Sequence, residues 1–119
     1  MKRVRSSSEH LAAHMDDVPA LVLACIEATH AELSAENQAQ LWGSLLPAAW
    51  SYQLAARVRG LGTAWTTLHL QYEREVSQLL GIPSPVRQGV LLPTAYYTGE
   101  TFRPAPREPL ESVLHVDRW

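Results

Sequence analysis

The chain has 119 residues, of which 46% are apolar and 18% charged, with a formal net charge of −2. That apolar share excludes a disordered chain, and that charge gives no basic surface for nucleic acid. The length suits one domain, and the single cysteine, Cys25, excludes an intrachain disulfide and fits a reducing compartment.

At the start, Lys2, Arg3 and Arg5 are followed by Ser6–Ser7–Ser8 rather than an apolar core, so no signal peptide is read. Ser7 or Ser8 caps an expected short helix over Glu9–Met15, with Leu11 as its apolar contact and Asp16–Asp17 as its end. His10 and His14 stand four apart on it, a spacing that suits a metal. No third ligand accompanies them, and they read as solvated histidines with no metal site. Val18–Ile26 is continuously apolar, which predicts a strand buried on both faces with Cys25 as a small hydrophobe. It is too short to span a bilayer, so a soluble cytoplasmic protein is expected. The polar stretch that follows contains Thr29–His30–Ala31–Glu32, a capping-box pattern that predicts a short exposed helix.

Leu41–Thr67 is the stretch around which the rest is organised. Ser44 is a good N-cap and Pro47 suits a first turn, which predicts a helix over Leu45–Arg59. Its residues are apolar nearly all round, which predicts burial on most sides, one wall being supplied by a second subunit. Arg57 and Arg59 suit the negative end of that helix, and Gly60 suits the left-handed residue that closes it. Leu61–Thr67 then reads as a short strand.

Leu70–Leu80 shows one apolar face, made by Tyr72, Val76, Leu79 and Leu80, and predicts an amphipathic helix on the core, stopped by Gly81 and Pro83. Val86–Tyr97 predicts a strand, with Pro93 restricting it to an irregular or edge position. From Gly99 the prolines at 104, 106 and 109 predict an extended tail. Its Leu110, Val113, Leu114 and Trp119 need something to pack against, which points to a partner subunit. No repeat or interdomain linker interrupts the series. Residues 1–17 form an N-terminal helix region, 18–98 a layered α+β core of strand, helix, strand, helix, strand, and 99–119 a C-terminal arm.

No Ser–His–Asp or Cys–His constellation stands out, and no catalytic side chain is assigned. Gly60–Leu61–Gly62–Thr63 closes a helix and enters a strand, the reverse of a dinucleotide fingerprint.

The ordered blocks GSLLPA…LAARVRGLGTAWTT, YEREVSQLLGIP and VLLPTAYYTGETFRPAPREPLESV resemble the C-terminal part of the nitroreductase family, from about Val18 to Trp119. The family's members are flavoproteins that bind FMN at a homodimer interface. The resemblance implies a nitroreductase-like α+β fold with a central buried helix, a small mixed sheet and an extended arm that wraps the other subunit. It implies that Trp65, Thr66, Thr67 and Leu68 lie along the flavin ring, a backbone amide at Thr67 or Leu68 facing the N5 side. It implies that Arg107, in Arg107–Glu108–Pro109–Leu110, holds the FMN phosphate. The activity implied is NAD(P)H-driven reduction of a nitroaromatic, quinone or similar small acceptor. The family's basic Arg-Arg-Ser-x-Arg block is not matched, so a member without its N-terminal part is expected. Ala105 and Trp50–Ser51 also depart from the family's pattern. The alternatives are a flavin-free dimeric scaffold or small-ligand-binding remnant of the fold, and a half-protein completed by another chain.

Overall fold

The computed structural model describes residues 2–29, 34–99 and 102–119. The element order is helix α1 (Lys2–Ala13), strand β1 (Ala20–Glu27), helix α2 (Ala35–Val58), strand β2 (Leu61–Thr63), helix α3 (Glu73–Leu80) and strand β3 (Val86–Tyr96). Short 3-10 turns occupy Met15–Asp17, Leu68–Tyr72 and Leu110–Ser112. The α+β class and the alternation of strand and helix agree with the sequence. None of the described helices is long and apolar enough to cross a membrane.

The three strands make one sheet in the order β1-β3-β2, antiparallel throughout rather than mixed. β3 is central because it alone has a partner on each edge. Pro93 therefore sits in the middle strand, not at an edge. The ladder tolerates it because Ala64 N–H donates to the Pro93 carbonyl at 3.2 Å, on the side where β2 has just ended. In an antiparallel pair a residue's N–H and C=O share a side, so the missing donor faces no strand hydrogen bond. β1 is an edge strand, half-buried along its middle rather than covered on both faces. A continuous apolar run fits either case, and topology decides it. Cys25 is half-buried there.

α2 differs most from expectation. It begins ten residues ahead of Leu45, runs through Pro47, and has Ser34 at its N-cap position. Ser44 is interior, its hydroxyl donating to the Gln40 carbonyl at 3.0 Å. The upstream residues are helix formers, and Leu41, Leu45, Ala49, Tyr52 and Ala56 recur at helical spacing on the face that meets the sheet. That packing outweighs the local cost of the proline. Within one chain, burial is one-sided: the opposite face, with Trp50, Leu54 and Val58, is exposed. The helix closes as expected, with Gly60 at φ +77° and Arg59 Nη1 donating to the Ala55 carbonyl at 3.2 Å.

Ala49, Val90 and Leu92 form the centre of the core, with Val22, Ala24 and Tyr52 packed around them. Tyr52 Oη donates to Thr94 Oγ1 at 3.0 Å, and Thr94 Oγ1 donates to the Leu92 carbonyl, so the buried threonine is satisfied. Gln53 Nε2 donates to Thr63 Oγ1 at 2.9 Å, tying α2 to β2. The β1–β3 register slips between Ala24 and Cys25, opposite Gly89. A Cβ at Gly89 would run into Leu45 Cδ2, so the bulge and the bare glycine together let α2 approach the sheet.

Three other elements depart from their predicted bounds. The first helix is Lys2–Ala13, not Glu9–Met15. The second strand stops at Thr63, with Thr66 making an isolated bridge to Leu91. The Leu70–Leu80 stretch divides into a 3-10 turn and α3; Tyr72 of the turn and Leu79 and Leu80 of α3 are exposed, while Val76 is half-buried. Gly81 does end it, at φ +67°. Residues 30–32 of the capping-box pattern lie outside the described residues. The tail beyond Phe102 is exposed, including all four of its expected anchors.

Candidate functional site

The segment Trp65–Leu68 leaves β2 and is held against β3. Thr66 N–H donates to the Leu91 carbonyl at 3.1 Å and Leu91 N–H returns to the Thr66 carbonyl at 2.9 Å. Leu70 N–H then donates to the Thr67 carbonyl at 3.0 Å and starts the 3-10 turn. The first amides of a helical turn have no partner within it. Those of Thr67 and Leu68 carry no backbone hydrogen bond among the described residues. Trp65 is 41% exposed, so a large flat ring stands at the surface beside them.

Two clefts flank this segment. One, of about 440 Å³, has all four of Trp65–Leu68 on one wall and Leu11 and Met15 of the N-terminal helix region on the other. The second, of about 380 Å³, shares Trp65 and Thr67 and is completed by Trp42 and Leu46 of α2 and by Arg87, Gln88 and Gly89 of β3. Both volumes suit a small ligand. A further cleft, of about 540 Å³, lies against α3 and contains none of the expected site residues.

Trp65, Thr66, Thr67 and Leu68 thus all line the first cleft. Arg107 is not gathered with them: it is exposed on the tail and lines neither flanking cleft. The cation that does line one, Arg87, is occupied. Its Nε and Nη2 donate to the two carboxylate oxygens of Glu73, each at 2.8 Å. That pairing lowers the Glu73 pKa below its ordinary value; burial opposes the shift, and the Gln88 N–H adds to it.

Two polar side chains at this site escaped sequence reasoning. His69 lines the first cleft, with both ring nitrogens buried and without a partner. Burial pushes its pKa down, partly offset by the charge of Glu73. Gln88 is 1% exposed. Its Nε2 donates to the Glu73 carbonyl and to Ser77 Oγ, both at 2.8 Å, which fixes the amide's orientation and leaves Oε1 without a partner. A glutamine just ahead of the contiguous apolar run Val90–Leu92 was the available signal. His69 offered none, because its burial arises from distant elements. Cys25 is no rival nucleophile, since burial, then the charge of Glu73, push its thiol pKa up. His10 and His14 are exposed with ring centroids 4.2 Å apart, and no metal-ligating cluster occurs among the described residues.

A long helix laid across a three-stranded antiparallel sheet, with a cleft-lining segment directly after the second strand, defines an α+β fold. The model of the nitroreductase family matches residues 2–96, and the chain belongs to that family. Membership supports a flavin oxidoreductase type of function in general. The match begins ahead of the resemblance noted from Val18 and ends before the arm, so Arg107 lies outside it. No curated protein and no solved structure matches the chain.

Proposed function

We propose that the protein is an FMN-dependent, NAD(P)H-using oxidoreductase that works as a cytoplasmic homodimer and reduces a nitroaromatic, quinone or similar small acceptor. The observation that carries this reading is the Trp65–Leu68 segment, clamped to β3 and edged by two amides free to donate. A flavin ring has a flat apolar face and a rim of hydrogen-bonding atoms. Trp65 offers a flat surface, the Thr66 and Thr67 hydroxyls offer polar contacts, and the Thr67 and Leu68 amides offer donors for the rim. The residues present therefore fit the ring. Arg107, with a planar guanidinium, is the group for the phosphate, brought to the site by the arm.

Bound flavin would supply the hydride and electron chemistry, while the protein positions it and limits competing reactions. Trp65 and the two amides would fix the ring's plane and edge. Dimerisation accounts for the exposed face of α2, where Trp50 is 57%, Leu54 51% and Val58 87% exposed, and for the arm's Trp119, which is wholly exposed. These are large apolar groups that a single chain leaves in water. On this reading residues 1–119 act as one domain, with 99–119 as the arm.

One observation favours the second reading, a flavin-free dimeric scaffold: among the described residues, neither flanking cleft has an unengaged cation on its wall. Incubation with FMN, removal of free flavin and a visible spectrum separate the two. Retained flavin absorbance at one FMN per chain supports the oxidoreductase, and a colourless protein supports the scaffold.

A further inference from the structure

We propose that Arg57 is a positioning residue for the C-terminal arm, fixing where the arm leaves the body and so how Arg107 reaches its ligand. The guanidinium carbon of Arg57 lies 4.7 Å from the Tyr97 ring centroid and 4.3 Å from that of Phe102. The two rings meet edge to face, with centroids 4.9 Å apart. One cation thus serves two aromatic faces, and the rings also hold each other.

The three members come from three parts of the chain. Arg57 is in the last turn of α2, where a basic residue would ordinarily serve the helix end. Arg59 performs that task through its bond to the Ala55 carbonyl. Tyr97 follows directly on β3 and is pressed against β2: a Cβ at Gly62 would meet its Cβ and Cδ1 at 3.3 Å. Phe102 belongs to the arm. Helix and sheet hold the first two, and the third is the arm's contact with that rigid corner.

The consequence for Arg107 is a matter of chain length. From Phe102 to Arg107 an extended chain reaches about 17 Å, whereas from Gly99, where β3 has ended, it reaches about 27 Å. Holding Phe102 therefore confines Arg107 to roughly a quarter of the volume it would otherwise explore, and Pro104 and Pro106 stiffen the remainder. A smaller volume raises the effective concentration of the guanidinium at its target.

This inference rests on Arg107 as the phosphate contact, and the test keeps the two apart. Chymotrypsin cleavage at Phe102–Arg103 is timed without FMN, and FMN affinity is measured on the same preparations by fluorescence titration. Arg57→Ala is expected to speed the cleavage and weaken FMN binding about fourfold. Arg57→Lys, which keeps a cation over the rings, stays near wild type in both, and circular dichroism confirms that α2 is intact. In an Arg107→Ala background, Arg57→Ala produces no further loss of affinity. Unchanged cleavage in Arg57→Ala overturns the clamp. Faster cleavage with unchanged affinity, while Arg107→Ala does weaken FMN, overturns the positioning role alone. If Arg107→Ala has no effect, the phosphate assignment fails and with it this role for Arg57, while the cleavage result still decides whether the clamp exists.

Discussion

Glu73 at the start of α3 and Arg87 on β3 form a two-point ion pair, Nε to Oε1 and Nη2 to Oε2, both at 2.8 Å. The same carboxylate accepts the Gln88 N–H at 3.0 Å, and the Glu73 carbonyl accepts from Gln88 Nε2. One acidic residue thus docks α3 onto the central strand and aligns the floor of the smaller cleft. Charge-assisted bonds of this kind contribute about 1–2 kcal/mol where they are partly exposed. Glu73→Gln is expected to cost that much at pH 7, measured by urea unfolding. The folded-state pKa of Glu73 is lowered, so its contribution is present above the ordinary carboxylate range and lost as pH falls through the folded value. The gap between wild type and variant should shrink on acidification. A gap constant from neutral to acid pH would contradict the assignment.

At Gly89 the side chains of Leu45 and Trp42 from α2 pack directly against the sheet. Gly89→Ala forces the added methyl onto Leu45 Cδ2 and closes against Trp42. Overpacking at such a contact costs about 1–3 kcal/mol. Gly43→Ala on the same helix, where an added Cβ meets nothing within 4 Å, serves as the control and should be neutral or slightly stabilising. Thermal unfolding of the two variants reads the difference.

The outer face of α2 should carry the self-association. Leu54, 51% exposed, lies on it one helical turn from Trp50 and from Val58. Leu54→Glu places a charge in a contact that must shed water, an unfavourable step worth several kcal/mol if the charge is unpaired. The variant should run as a folded monomer in sedimentation velocity while the wild type runs as a dimer. A variant that remains dimeric rules this face out.

Arg107→Ala should loosen FMN about ten- to a hundredfold, the loss of one charge-assisted phosphate contact of roughly 1.5–3 kcal/mol. Trp65→Ala should loosen it too, and should also change the bound flavin's emission, because Trp65, unlike Arg107, is proposed to lie against the ring. Fluorescence titration yields both readouts. An Arg107 variant with wild-type affinity removes the arm from the site.

The succession of elements was legible because apolar periodicity and glycine exits are local signals. Gly60 and Gly81 stand where they were expected. The N-terminal half of α2 was hidden by Ser44 and Pro47, which mimic a helix start and are overruled by the Leu41–Leu45–Ala49 stripe packing on the sheet. The place of Pro93 in the central strand was hidden because it depends on where a different strand, β2, stops. Trp65–Leu68 could be singled out by resemblance. The Glu73–Arg87–Gln88 network and the buried ring nitrogens of His69 could not, since fourteen or fifteen residues separate the bonded partners and burial is a property of the assembled layers.

Sedimentation velocity followed at the flavin absorbance, on protein reconstituted with FMN, tests the central claim in one run. The account predicts that flavin absorbance travels with a species of twice the 13.3 kDa chain mass, at one FMN per chain. Flavin that stays at the meniscus, or that moves with a single chain, contradicts it.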